Sequence, residues 1–239
     1  EVYLLGRDKD KVERYIEGLS QFRKIDNPIK LSANESALGP SPHAVRAYKK
    51  DKYKISKYPE SDSNYLRKHL SKKFKIDPKR IICGAGSDQI FDFICKIFLK
   101  SGDEVIVSEF GFVMHRIYAL LHKAKVVFAK EFFLKVSVDE ILKKVSSKTK
   151  IVFIANPNNP TGTYLSKKEM LRLRKKLKKN ILLVVDDAYF EFLTNNDYAS
   201  GLEIFPNSSN VIITRTFSKI YGLAGLRLGW GYSSKKIID

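Results

Sequence analysis

Long apolar runs are missing from this sequence. The longest, such as Ile181 to Val185, fall far short of the roughly 20 residues a helix needs to cross a bilayer. No stretch of this sequence is therefore expected to cross a membrane as a helix. Cysteine is scarce as well: Cys83 and Cys95 are the only two in 239 residues, too few for the disulfide framework of a small secreted domain. Cys83 ends a short apolar strand and Cys95 lies in a helix-patterned stretch, so both are expected as buried free thiols. The four histidines are scattered. His115 and His122 could share a helix face, yet no carboxylate or thiol completes a ligand spacing, and no metal site is expected. There are no internal repeats and no low-complexity linker. No signal pattern opens the chain at Glu1, which points to a cytoplasmic protein and to a piece of a longer one.

What is present describes a folded chain. Hydrophobic residues make up 44% and aromatics 12%, well above the range of disordered segments. The formal net charge of +18 raises the question of nucleic acid. The lysines, however, come as pairs on amphipathic segments, among them Lys143-Lys144, Lys167-Lys168, Lys175-Lys176 and Lys178-Lys179. In the helix expected over Ser166 to Lys179, Met170, Leu173 and Leu177 form the apolar stripe, and Ser166 with Glu169 forms a capping box. The lysines then cover the solvated face, so neither nucleic acid nor membrane is expected as a partner. A basic surface would still favour capture of phosphorylated small molecules.

Strand-like runs recur at Arg80–Cys83, Glu104–Val107, Val126–Ala129, Ile151–Ala155, Ile181–Val185, Val211–Thr214 and Leu226–Tyr232. Helical patterns fall over Ser63–Lys75, Ser87–Leu99, Phe112–His122, Val138–Val145 and Ser166–Lys179. The alternation predicts an α/β domain over residues 31–239, with a mostly parallel seven-stranded sheet flanked by helices on both faces. Residues 1–30 are expected to form an arm or short helix. In such sheets, ligands bind beyond the carboxyl ends of the strands, and the informative motifs all fall there.

Lys219 follows the strand Val211 to Thr214 within Thr214-Arg-Thr-Phe-Ser-Lys219, with Arg227 a little further on in Gly225-Leu-Arg-Leu-Gly229. Such a lysine can form a Schiff base with an aldehyde, while hydroxyls and an arginine suit a phosphate. Gly84-Ala-Gly-Ser-Asp88 leaves a strand and opens a helix, an arrangement that favours an anion. It is not a dinucleotide fingerprint, because Gln89 stands at the third glycine position; a plain turn capped by Ser87 reads equally well. Phe112 begins a helix after a strand, where an aromatic either packs in the core or stacks on a flat ring. Asn156-Pro-Asn-Asn-Pro-Thr-Gly162 makes a sharp turn that presents asparagine amides at a strand end. Asp186 closes an apolar strand, so its charge needs a partner, such as a protonated ring nitrogen; a helix N-cap is the alternative.

Taken together, and in this order along Leu31 to Gly229, these motifs resemble the fold-type I aminotransferases that use pyridoxal 5'-phosphate. Within them the chain is most similar to the histidinol-phosphate aminotransferase family. Lys30-Leu-Ser-Ala-Asn-Glu35, Leu38-Gly-Pro-Ser-Pro42 and Lys57-Tyr-Pro-Glu60 resemble that family's amino-terminal signatures. The resemblance implies that Lys219 holds the cofactor as a Schiff base and, once freed, moves the proton between the substrate α-carbon and the cofactor. Asp186 would keep the pyridine nitrogen protonated. Tyr189 and Asn159 would hydrogen-bond the ring's phenolic oxygen, and Phe112 would stack on the ring. Gly86, Ser87, Asp88, Thr216, Ser218 and Arg227 would hold the phosphate. Tyr58, with Asn159, would meet the substrate, Tyr58 reaching into the neighbouring site of a homodimer.

The implied reaction transfers an amino group from histidinol phosphate to 2-oxoglutarate, a step of histidine biosynthesis. An aromatic aminotransferase and a threonine-phosphate decarboxylase share the same motifs. A cofactor-sensing nucleic-acid regulator is the reading from another class, supported by charge alone. Asp187 stands where the family usually has glutamate, Gln89 where an acidic residue is common, His115 at a position often held by tyrosine, and Phe112 in place of a frequent tyrosine. The family's small carboxyl-terminal domain, which supplies the arginine that grips the substrate carboxylate, is expected beyond Asp239. Within the chain, Arg116 and Arg215 are the available arginines.

Overall fold

Short, almost wholly apolar strands build the centre of the molecule. The computed structural model describes residues 31–239, so the arm expected over residues 1–30 lies outside them; Glu35–Asp239 form one compact unit. In chain order the helices are α1 (Pro42–Asp51), α2 (Asn64–Phe74), α3 (Gly86–Phe98), α4 (Val113–Leu121), α5 (Val138–Lys144), α6 (Lys167–Lys176), α7 (Gly201–Ile204) and α8 (Lys235–Ile238). The strands are β1 (Ile81–Gly84), β2 (Glu104–Ser108), β3 (Lys125–Ala129), β4 (Glu131–Phe132), β5 (Lys135–Val136), β6 (Thr149–Ala155), β7 (Leu182–Asp186), β8 (Val211–Thr216) and β9 (Gly229–Tyr232). Seven of them form one sheet in the order β1-β9-β8-β7-β6-β2-β3. β9 runs antiparallel to both of its neighbours, and the other pairings are parallel. This is the mostly parallel seven-stranded sheet expected from the sequence.

Strand parity divides the core into two layers. Ile106, Val152, Ile154, Leu183, Val185, Val211 and Ile213 pack with Met170 and Leu173 of α6 and Ile141 of α5. Val105, Val107, Ile151, Phe153, Leu182, Val184 and Ile212 pack with Ile90, Phe91 and Ile94 of α3 and Ala119 of α4. Every residue of β2, β7 and β8 is buried, which is why these strands read as continuous apolar runs. Each fully buried Ile, Leu or Phe in these layers contributes about 1.5–3 kcal/mol relative to exposure. Both cysteines are free, Cys83 half-buried and Cys95 buried. Burial pushes the Cys95 thiol up to about 12.

The helix starts follow local chemistry. Ser41, Ser137 and Ser166 accept hydrogen bonds from Ala44, Glu140 and Glu169 amides at 3.2, 3.3 and 3.3 Å. The Glu169 carboxylate does not complete a reciprocal box; Arg172 takes both of its oxygens, at 3.0 and 2.8 Å. The helix expected to run to Lys179 stops at Lys176, and Leu177 turns extended (φ −69°, ψ 140°) while staying buried. The last strand begins at Gly229 rather than Leu226, because Arg227 is left-handed (φ 47°, ψ 60°) and cannot join a ladder. Elements that escape the apolar pattern include α1, which buries no residue, the short helices α7 and α8, and the two-stranded hairpin β4–β5.

Candidate active site

The carboxyl ends of β2, β6, β7 and β8 lie along one edge of the sheet. The parallel register sets Ala155 beside Asp186 and Asp186 beside Thr214. Because β9 is antiparallel, its beginning falls at this same edge: Gly229 pairs with both Gly84, at the end of β1, and Thr216, at the end of β8. The topology thus carries the start of α3, the Ser218-Lys219 loop and Arg227 to one place.

The contact there is close. A Cβ on Gly229 would stand 2.3 Å from the Ser87 amide nitrogen, and one on Gly86 (φ 79°) would stand 2.5 Å from Nη2 of Arg227. Arg227 donates to Asp88 Oδ2 at 3.3 Å and to Ser218 Oγ at 3.4 Å. Thr216 Oγ1 accepts from the Ser218 amide at 3.0 Å, closing the turn. Ala85 is the N-cap of α3 and provides no side-chain cap; Ser87 lies inside the first turn, which corrects its reading as a possible cap. A helix start with uncapped amides, two hydroxyls and a guanidinium is a cradle for a phosphate. Alanine at Gly229 is expected to push α3 off β9, at a cost of about 1–3 kcal/mol, and to weaken binding of a phosphorylated cofactor several-fold. Urea unfolding and a cofactor titration of Gly229→Ala measure the two effects.

Beside the cradle lies Asp186, 4% exposed and the last residue of β7. Thr214 donates to its Oδ1 at 3.1 Å, and Nε2 of His115 stands 3.4 Å from its Oδ2. It caps no helix, so the N-cap alternative falls away. His115, 2% exposed, lies at 15° over the Phe153 ring with centroids 4.8 Å apart, and Phe91 and Phe112 meet it edge-on. Phe112 is itself the N-cap of α4 and remains half-buried. A carboxylate held by a hydroxyl, with an imidazole nitrogen 3.4 Å away and an apolar floor beneath, is prepared for a positive partner.

A third group completes the edge. Asn159 Nδ2 donates to the Tyr189 hydroxyl at 3.5 Å, and the Lys219 ammonium stands 5.5 Å from the centre of the Tyr189 ring. Charge couples the groups. Burial pushes the Asp88 carboxyl up; Arg227 opposes that most, and Asp186, His115 and Lys219 all contribute. Eleven residues expected from the sequence therefore gather here: Gly86, Ser87, Asp88, Phe112, Asn159, Asp186, Tyr189, Thr216, Ser218, Lys219 and Arg227. Tyr58 is not among them; it stands 99% exposed.

Arg215 is not available to a substrate. Parity turns it to the opposite face of β8, where it is 3% exposed. There it donates to Ser200 Oγ at 3.3 Å and lies 3.8 Å from Asp187 and 3.5 Å from Glu191. Its guanidinium is 4.9 and 4.3 Å from the rings of Phe74 and Phe190. Asp187 serves this pair: it accepts from Ser200 Oγ at 2.5 Å and from the Gly201 amide at 2.9 Å. Burial pushes its carboxyl up to about 7, against the pull of Arg215.

Residues 26–239 match the family model described as aminotransferase class I and II. The chain belongs to that family. Among its relatives, the histidinol-phosphate aminotransferase of Pelagibacter ubique (strain HTCC1062) is 61% identical over 231 residues, covering 97% of this chain and 64% of its own length. That of Paramagnetospirillum magneticum (strain ATCC 700264 / AMB-1) is 45% identical over 95% of this chain and 62% of its own. The crystal structure of histidinol-phosphate aminotransferase from Sinorhizobium meliloti, in complex with pyridoxal-5'-phosphate, superposes with a TM-score of 0.87 at 27% identity. It matches 93% of this chain and 60% of the other. The chain thus spans a little under two thirds of the length of these aminotransferases.

Three further residues belong to this edge. His115 stands where the family often has tyrosine, and its place three residues after Phe112 on α4 is a usable sequence signal. Thr214 shares strand parity with Thr216 and could have been found that way. Gly229 gave no signal, because only the antiparallel return of β9 brings it against Ser87.

Proposed function

We propose that this chain forms the cofactor-binding part of a pyridoxal 5'-phosphate-dependent transaminase that moves an amino group from histidinol phosphate to 2-oxoglutarate, in histidine biosynthesis. The convergence of Lys219, Asp186 and the Arg227 cradle on one sheet edge carries the cofactor reading. The 61% identity to a histidinol-phosphate aminotransferase over 97% of the chain supports the amino donor. The residues present fit the cofactor: uncapped amides at α3 suit its phosphate, and the buried Asp186 suits its ring nitrogen.

When bound, the cofactor supplies an electron sink for the carbon that loses a proton. The chain's own groups do the rest. Lys219 would anchor the cofactor's aldehyde, and its amine is the group placed to take up the substrate's α-carbon proton as a general base. Asp186, with the Thr214 hydroxyl hydrogen-bonded to it and His115 3.4 Å away, would hold a positive charge on the ring nitrogen. Tyr189 and Asn159 would hold the phenolic oxygen, and Phe112 would stack on the ring. Gly86, Ser87, Asp88, Thr216, Ser218 and Arg227 fix the phosphate. Tyr58, exposed on its own subunit, reaches the partner subunit's site in a homodimer. The arginine for the substrate carboxylate belongs to the part of the relatives' length that lies outside this chain. The enzyme works in the cytoplasm on small molecules; among the described residues no helix is long and apolar enough to cross a membrane.

Donor choice is tested by loading the chain with pyridoxal 5'-phosphate and following its absorbance after adding histidinol phosphate, phenylalanine or threonine phosphate. Histidinol phosphate is expected to bleach the band at least tenfold faster than the others. Equal rates, or carbon dioxide release from threonine phosphate, would sink this choice of donor.

A further inference from the structure

The hairpin β4–β5 buries little of its own side-chain surface: Phe132, Phe133 and Leu134 are all exposed. Packing alone does not explain why it sits beside the site. Its polar contacts do. Oε1 of Glu131, the first residue of β4, accepts from the Phe110 amide at 3.2 Å and from the Asn158 side-chain amide at 3.3 Å. One carboxylate oxygen therefore joins the loop leading from β2 to Phe112 with the turn after β6 that presents Asn159. In return, Glu109 Oε2 accepts from the Glu131 amide at 3.3 Å.

The turn is tied to the hairpin a second time. Thr163 Oγ1 donates to the Leu134 carbonyl at 2.8 Å and shares a 2.9 Å hydrogen bond with Thr161. Thr161 in turn accepts from Asn158 Nδ2 at 3.0 Å. Asn158 is 3% exposed, and its Oδ1 is buried without a hydrogen-bond partner. Its amide group is thus committed to Glu131 and Thr161. Burial pushes the Glu131 carboxyl above the usual range, opposed in part by hydrogen bonding from Ser108, then from Phe110 and Asn158. A half-buried acid on a hairpin whose only other buried side chain is Val136 costs stability unless its hydrogen bonds are used.

We propose that Glu131 is a positioning residue: by accepting from Phe110 and Asn158 at once, it fixes the placement of Phe112 relative to Asn159, and with it the geometry in which the cofactor ring is held. The second half of this statement rests on the cofactor reading above; the first does not. The role needs an acceptor of the right reach, and a charge is not required. Glutamine keeps the oxygen in place, aspartate falls one methylene short, and alanine removes it.

Amide hydrogen exchange without cofactor, and titration with pyridoxal 5'-phosphate, test this in wild type, Glu131→Gln, Glu131→Asp and Glu131→Ala. With alanine or aspartate, exchange over residues 109–112 and 156–163 is expected to rise about tenfold while the sheet is unchanged. Cofactor affinity should fall by about the same factor, the scale of losing two modest hydrogen bonds. Glutamine should restore both. Wild-type exchange in Glu131→Ala and Glu131→Asp, a uniform rise across the whole chain, or failure of glutamine to rescue would each overturn the proposal. If wild type shows no Lys219-dependent binding of pyridoxal 5'-phosphate, the cofactor reading fails on its own, and the exchange data still decide whether Glu131 clamps the two loops.

Discussion

Lys219→Ala is expected to abolish the absorbance band that pyridoxal 5'-phosphate gives with the wild-type chain and to remove turnover almost completely. Two losses combine. The anchor for the aldehyde goes, and so does the base at the substrate's α-carbon, which alone accounts for about 10²–10⁴ in rate. The phosphate cradle survives, since Arg227, Ser218 and the start of α3 hold each other without Lys219. Cofactor should therefore still bind, weakly and reversibly, with the spectrum of the free aldehyde. Equilibrium dialysis measures the retained affinity, and absorbance measures the lost band. An unchanged band in Lys219→Ala would move the covalent anchor to another lysine, and the proposed function would fall with it. Loss of all affinity would instead show that the cradle is too weak to act alone.

That cradle also shows what the sequence can and cannot disclose. Lys219 and Asp186 stand out locally because one follows an apolar strand and the other ends one, while Arg227 stands just before the strand that returns to the same edge. Their meeting depends on strand order, which hydrophobic periodicity does not encode. The return of β9 against β8 and β1 sets Gly229 on Ser87, yet in sequence these residues lie far apart. The Arg215–Asp187 pair was hidden for a related reason. Its assignment to the opposite face follows from parity only once the limits of β8 are known. α1 and the hairpin β4–β5 carry few buried residues, so the apolar pattern had nothing to report there. Local backbone geometry moved the remaining boundaries. The left-handed turn at Arg227 delays β9 to Gly229 and at the same time aims the guanidinium back at α3.

The second large effect is expected at Asp186. Asn is nearly isosteric, so Asp186→Asn keeps an oxygen for Thr214 and should leave the fold and the Lys219-dependent band in place. It removes the negative charge that would balance a protonated ring nitrogen. Electrostatic groups of this kind are worth about 10²–10³ in kcat, or about 2.7–4 kcal/mol. The fall should appear in kcat and kcat/KM together, as for an interaction made mainly in the transition state. His115 acts on the same charge from behind: it touches Asp186 at 3.4 Å and is buried between Phe153 and Phe112. His115→Phe keeps the stacked ring and loses the nitrogen that stands beside the carboxylate, so a fall of about tenfold, about 1.4 kcal/mol, is expected. The double variant discriminates between the roles. If His115 works through Asp186, adding His115→Phe to Asp186→Asn costs little more, because the charge it steadies has already gone. Additive losses would show that His115 contributes separately, through the aromatic floor under the ring.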